Sequence, residues 1–297
     1  MKTYLECIPC FFKQALEAAK LSGVDKNIQK EIMDEVSRLM PTFSLSASPP
    51  EMAKEIHALV REISDAKDPY KQIKKNSNLL ALKIYPKLKQ EIKTSEDRLL
   101  TAVYFSIMGN IIDYGAKNSF NVRREIDQLF KGNYSFVNLH RSAHFNYHQF
   151  REALNEVEEI VYLADNAGEV VFDRLLIEEL VENNHKKVIY VVKEHPIIND
   201  ALAEDAFFCG MNDIATIISN GTAAPGTLLD YCSEEFTELY GKAKLIISKG
   251  QANYETLSEE NKSLFFLLRA KCPVIAKDID CGIGDMVLLA KRTRLMA

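Results

Sequence analysis

Cysteine is scarce: six in 297 residues do not make a disulfide framework in a chain this long. No apolar run approaches the roughly 18 residues of a membrane span, so none is expected. Met1-Lys2-Thr3-Tyr4-Leu5-Glu6-Cys7 has no signal-peptide core, because Glu6 and the early cysteines interrupt it, and a cytoplasmic protein is expected. Excess positive charge is also missing. The net charge of -5 and pI of about 5.8 leave no electrostatic footprint for nucleic acid or an anionic membrane. A small anionic substrate stays possible, since a local pocket can be positive on an acidic protein. Glycine-rich nucleotide fingerprints are absent too. The first strand-like run of the second half lacks GxGxxG, which disfavours a methyltransferase or nucleotidyl enzyme, and no GxxxxGK[ST] occurs, which disfavours a P-loop kinase.

What remains is an ordinary globular balance, 47% hydrophobic and 27% charged. The first half reads as helices. Residues 10–21 and 28–40 carry apolar residues at helical spacing, and the second run stops at Pro41. Ser48-Pro49-Pro50 opens a third helix through Met52, Ile56, Leu59, Val60 and Ile63. Asp68-Pro69-Tyr70 opens a fourth, and residues 97–114 are apolar nearly all round, as in a buried central helix. From about residue 155 the rhythm changes. The β-branched-rich runs 160–164, 187–193, 214–219, 245–248 and 273–276 read as strands, and 171–182, 201–208, 226–232 and 259–268 as the helices between them. Apolar strands alternating with helices predict a three-layer α/β/α, doubly wound, mainly parallel sheet with an N-terminal all-helical domain. The expected division is 1–150 helical and 151–297 α/β. Neither an internal repeat nor a low-complexity linker separates them.

The richest stretch is Asp165-Asn166-Ala167-Gly168-Glu169, which directly follows the first of those strands. In a doubly wound sheet, ligands bind at the carboxyl ends of the strands. Three further polar segments fall at such ends: Lys193-Glu194-His195-Pro196-Ile197-Ile198-Asn199-Asp200, Ser219-Asn220-Gly221-Thr222 with Pro225-Gly226, and Lys249-Gly250-Gln251-Ala252-Asn253-Tyr254-Glu255. Asp165, Asn166 and Asp200 supply two carboxylates and a neutral oxygen, a set suited to a divalent ion that keeps waters for substrate. Lys249 and Lys271 are the candidate cations for phosphate oxygens. Gly250 is expected to let backbone N–H groups approach a phosphate. The start of the helix after Gly168 offers N–H groups and partial positive charge to the same anion.

These segments, in this order, resemble the metal-dependent damage-control phosphatase family, long known only as a domain of unknown function. Gly109-Asn110-Ile111-Ile112-Asp113 also resembles a family motif, and Cys7-Ile8-Pro9-Cys10 its archaeal and bacterial subgroup. The resemblance implies a divalent metal (manganese, nickel, cobalt or magnesium) on Asp165, Asn166 and Asp200. It implies substrate contacts from Gln251, Ala252, Asn253, Tyr254, Glu255 and Lys271. Asn110, Asp113, Glu169 and Gly250 are counted with the substrate-binding residues, and Glu169 and Asp113 are also candidates for acid/base or supporting groups. The implied reaction is hydrolysis of phosphate monoesters of small metabolites, with damaged or surplus nucleotides the substrates associated with this subgroup. A sister subgroup's Arg-Thr-x-Lys signature is matched here by Leu268-Arg269-Ala270-Lys271 only at the lysine, which weakens inference to that group's sugar-phosphate or methyl-transfer activities.

Each feature has a plainer reading. Asp165 to Gly168 can be a helix cap with a tight turn, and Asp200 can cap the helix that follows it. Asn110 and Asp113 can form a buried polar network. Cys7 and Cys10 have metal-ligand spacing without a second pair, and read as buried helix-start cysteines. His140, His144 and His148 lie four apart, but their polar neighbours place them on a surface connection. The nucleophile stays open between Asp165 and a metal-activated water. A sugar-phosphate phosphatase of the same family and a non-catalytic phosphometabolite-binding module are the alternatives.

Overall fold

The computed structural model describes residues 1–109 and 144–291. Among them, helices α1 (Ile8–Leu21), α2 (Lys26–Leu39) and α3 (Pro49–Ser64) pack as a unit around Phe11, Ala15, Ile32, Val36, Ile56 and Val60. Local chemistry sets their ends. Asp25 caps α2 by accepting the Asn27 and Ile28 N–H groups at 2.7 and 3.1 Å, and Ser48 with Glu51 forms a capping box ahead of Pro49. The next two helices are α4 (Lys71–Thr94) and α5 (Arg98–Met108), the latter capped by Asp97 and buried along most of its length, as its all-round apolar sequence predicts.

The second part is α6 (Tyr147–Asn155), β1 (Glu159–Leu163), α7 (Glu169–Glu178), β2 (Lys187–Val192), α8 (Ala203–Phe208), β3 (Thr216–Ser219), α9 (Glu234–Lys242), β4 (Ile246–Lys249), α10 (Gln251–Leu257), β5 (Leu264–Arg269), α11 (Pro273–Ile279) and β6 (Met286–Lys291). The six strands form one sheet in the order β3-β2-β1-β4-β5-β6. All pairings are parallel except β5 with β6, which is antiparallel. Residues alternate between faces with the two-residue period of a strand. Ile160, Tyr162 and Ala164 join one core, where α4, α5, α6 and α7 cover the sheet, while Val161 and Leu163 join the other, with α9, α10 and α11. This is the expected three-layer arrangement, with helical elements preceding it.

Two expected elements are of the opposite type. Residues 259–268 contain strand β5, and 273–276 lie in helix α11. The run Leu264-Phe265-Phe266-Leu267-Leu268 is apolar at every position, so it has no period to tell strand from helix. Burial on both faces of the sheet explains it. Pro273 occupies the first turn of α11 and the Cys272 side chain accepts the Ile275 N–H at 3.5 Å, a helix start that a β-branched count does not register. Residues 226–232 make only the short 3-10 turn Leu229–Tyr231, and α9, capped by Ser233, fills the crossover instead. Edge strand β6 and helix α10 were not anticipated.

Candidate active site

The strand order reverses between β1 and β4, since β2 and β3 extend the sheet one way and β5 and β6 the other. That is the switch point where doubly wound sheets open a crevice. A cavity of about 330 Å³ lies there. Asp165 and Asn166 reach it from the end of β1, Ile198, Asn199 and Asp200 from the loop after β2, and Gln251, Ala252 and Glu255 from α10. Lys271 and Cys272 line it from the loop before α11. Cys7, Cys10, Phe11, Pro49, Pro50 and Ala53 of the three-helix unit close the opposite wall.

Backbone hydrogen bonds bring the two acidic segments together. The Ala167 N–H donates to Asn199 O and the Ala201 N–H to Asp165 O, both at 2.9 Å, which makes Asn166 and Asp200 partners in an isolated antiparallel bridge. Residues directly opposite in such a pair hold their Cβ atoms roughly 4.5–5.5 Å apart, within reach of one ion. Asn166 Nδ2 donates to Asp165 Oδ2 at 3.1 Å and to Glu169 Oε1 at 2.9 Å. The amide nitrogen is thereby held between the Asp165 carboxylate at the cavity and the buried Glu169 carboxylate. Two buried carboxylates and an amide side chain on one cavity wall carry hard oxygens of the kind divalent ions take. Among the described residues no three His, Cys, Asp or Glu side chains gather to hold a metal, so an ion here would be completed by the amide and by water or substrate.

The loop carrying Asp200 is held under backbone strain. Ile198 has φ 45°, which a β-branched residue rarely adopts, and its side chain packs against the core of the three-helix unit. Arg61 of α3 donates to Pro196 O at 3.3 Å. Lys193 Nζ stands 3.7 Å from Asp200 Oδ2 and donates to Gly226 O.

Three expectations about individual groups need correction. The ammonium of Lys249 is 1% exposed and does not line the cavity. It donates to Asp173 Oδ1 at 2.6 Å, Ser106 O at 2.9 Å and Glu169 Oε2 at 3.2 Å. An ammonium has three hydrogens, and these partners account for all of them, so a phosphate contact is not what this side chain makes. Burial alone would push Lys249 down, but Asp173 and Glu169 outweigh it and hold the ammonium above its usual range. Gly250, at φ 81°, is needed for a different approach than expected: a Cβ there would sit 1.8 Å from Asp165 Oδ2. Its own N–H donates to Leu267 O at 3.0 Å, continuing the β4–β5 pairing. The start of α7 is no anion hole either. The Gly168 N–H donates to Asn78 Oδ1 of α4 at 2.6 Å, as a buried helix start requires, and the first turn is buried.

Helical periodicity divides the segment after Gly250. Gln251, Ala252 and Glu255 face the cavity, while Asn253 and Tyr254 face away. Asn253 donates to Ala164 O at 3.0 Å and Lys249 O at 2.8 Å and accepts from Thr227 Oγ1 at 2.7 Å, and Tyr254 donates to Asp278 at 2.7 Å. These two residues stitch the loops together instead of meeting a ligand. Burial pushes the Glu255 carboxyl up to about 8, although the amino-terminal ammonium pulls it the other way, so the carboxyl holds its proton at neutral pH. Asn110 and Asp113 lie outside the described residues, as does His140. His148 is exposed and pairs with Glu152 at 3.5 Å, as a surface residue would. Of the cysteine pair, Cys7 is half-buried and Cys10 exposed, so they are not core as expected, and burial holds the Cys7 thiol above its usual range. Asn78 and Asp173 were missed. Asp173 had a signal: it follows Glu169 by one turn, placing two carboxylates on one side of a helix whose first turns are otherwise apolar.

The model of the damage-control phosphatase ARMT1-like domain matches residues 3–287. The chain belongs to the damage-control phosphatase family. A damage-control phosphatase of Archaeoglobus fulgidus is 34% identical over 292 residues, covering 97% of this chain and 98% of that protein. A damage-control phosphatase of Pyrococcus horikoshii is 32% identical over 298 residues, covering 99% and 100%. The crystal structure of a DUF89 family protein from Pyrococcus horikoshii superposes with a TM-score of 0.84 at 31% identity, over 99% of this chain and 100% of that one. As a member of the damage-control phosphatase family, the chain shares its fold with a solved family structure.

Proposed function

We propose that the switch-point cavity is the active site of a divalent-metal-dependent phosphatase acting on phosphate monoesters of small metabolites, with nucleotides the favoured substrates. The observation that carries this reading is a charge imbalance. Among the described lining residues, the carboxylates of Glu6, Asp165 and Asp200 face a single lysine, Lys271, with Glu255 protonated beside them. A phosphate dianion entering such a cavity needs a further cation, and Asp165, Asn166 and Asp200 are the oxygen donors that would hold one. Bound there, the metal supplies positive charge to the transferring phosphoryl group. Lys271 contacts phosphate oxygens, Gln251 and the protonated Glu255 offer hydrogen bonds to the ester, and Gly250 leaves room for the Asp165 carboxylate. The reaction consumes one water and releases the alcohol and inorganic phosphate. The apolar wall of Phe11, Pro49, Pro50 and Ala53 suits a planar base better than a bare sugar, which favours nucleotides over sugar phosphates.

The test is phosphate release by chelator-stripped protein from a panel of nucleoside phosphates, sugar phosphates and an aryl phosphate, with Mg²⁺, Mn²⁺, Co²⁺ or Ni²⁺ restored separately. Metal-dependent release, strongest on a nucleotide and lost in Asp200→Ala with the fold retained, is expected. An Asp200→Ala protein with wild-type turnover would place the site elsewhere, and tight phosphometabolite binding without turnover by any metal form would make this cavity a binding module.

A further inference from the structure

Behind Asn166 runs a chain of buried charges. Glu169 and Asp173 are fully buried and Lys249 is 1% exposed. Lys249 bridges the two carboxylates. Asp173 also accepts from Tyr162 at 2.7 Å, Tyr190 at 2.9 Å and Ser106 at 3.1 Å. Taking such ions out of water costs several kcal/mol each, and apolar residues of similar volume commonly serve stability as well. Stability alone therefore does not account for the cluster.

Its geometry points at one atom group. An amide is nearly symmetric in shape, so which end of Asn166 faces the cavity is decided by what its other end meets. It meets Glu169 Oε1 and Asp165 Oδ2, both acceptors, which fixes the nitrogen end on the side of those two carboxylates in a residue that lines the cavity. Glu169 in turn cannot swing away, because Lys249 grips its second oxygen, and Lys249 is anchored by Asp173 and the Ser106 carbonyl.

We propose that Glu169, Lys249 and Asp173 are positioning residues that fix the Asn166 amide with its oxygen toward the metal, and that none of the three touches substrate. This rests on the reading of Asp165, Asn166 and Asp200 as the metal-holding set. A specific consequence follows for Glu169→Gln. The single oxygen of the new amide is drawn to Lys249, which leaves its NH₂ toward Asn166 and turns the Asn166 amide over, so that N–H groups face the ion. Removing Lys249 as well frees that oxygen to accept from Asn166 again.

The experiment is calorimetric titration of Mn²⁺ into chelator-stripped protein, together with the thermal midpoint of each metal-free variant. Glu169→Gln is expected to weaken Mn²⁺ binding about tenfold or more, the usual scale for groups that orient a metal ligand. Glu169→Asp, which keeps the charge but withdraws the oxygen, is expected to do the same and serves if Glu169→Gln does not fold. Asp173→Asn removes the same unit of charge while leaving the Asn166 contact, and should weaken binding less than about threefold, below that scale. Glu169→Gln with Lys249→Met should bind Mn²⁺ more tightly than Glu169→Gln alone. The proposal is overturned if Glu169→Asp binds as wild type, if Asp173→Asn and Glu169→Gln lose affinity equally, or if the double variant is the weakest of all. Wild-type protein that binds no Mn²⁺ would instead defeat the metal reading itself.

Discussion

Gly250 shows how much of the site depends on single atoms. It turns the chain at the end of β4 with φ 81° and ψ 170°, a region open almost only to glycine, and the space where a Cβ would stand is filled by the Asp165 carboxylate. Gly250→Ala therefore combines backbone strain of about 1–3 kcal/mol with displacement of a proposed metal ligand. A lower thermal midpoint and a loss of turnover on the order of a hundredfold are expected, the scale of a small misplacement at a reacting centre. Alanine at wild-type activity would mean that Asp165 does not need this position. That Asp165, Asn166 and Asp200 meet at one cavity could be read from the sequence, because strand-end placement marks all three. The partners of Lys249 could not. A lysine after a strand looks the same whether its ammonium faces a ligand or two buried acids, and the acids sit on another element. Asn78 was equally hidden, as a polar residue on the packed side of α4 whose partner, the Gly168 N–H, lies 90 residues away.

Among the elements, the strained loop after β2 and helix α3 beneath it control where Asp200 sits. His57 of α3 is buried, and burial together with the Arg61 charge lowers it to about 4. Between pH 6.5 and about 4 the unfolded chain binds a proton at this residue that the folded chain does not. Stability from a neutral buried His57 is therefore fully present above pH 6.5 and is lost as pH falls, by about 3 kcal/mol at the limit. Urea unfolding midpoints across this range should drop in the wild type and drop distinctly less in His57→Leu; equal slopes would remove His57 as the cause. Most elements were legible, because amphipathic helices and β-branched strands carry their own periods. The exceptions share a cause. Strand β5 is buried on both faces and has no period, α11 begins at a proline in a β-branched stretch, and the strain at Ile198 is imposed by packing against the three-helix unit, which local sequence does not encode.

At the scale of the molecule, sheet order and the three-helix unit together make the site. The reversal between β1 and β4 opens a crevice, and α1 and α3 roof it with an apolar wall opposite the oxygen-rich strand ends. Alternation of strands and helices predicted the doubly wound sheet, but not which strands flank the reversal, since strand order is set by long-range pairing. No helix among the described residues is long and apolar enough to cross a membrane. The excess of carboxyl groups over cations in the cavity makes metal the hinge of the whole account. The most direct test is hydrolysis of an aryl phosphate by chelator-stripped wild-type protein and by Asp165→Ala, each before and after Mn²⁺ is restored. Turnover that returns with the ion in the wild type and stays absent in Asp165→Ala is the predicted result. Turnover that persists in the stripped wild-type protein, or that Asp165→Ala regains with Mn²⁺, would contradict it.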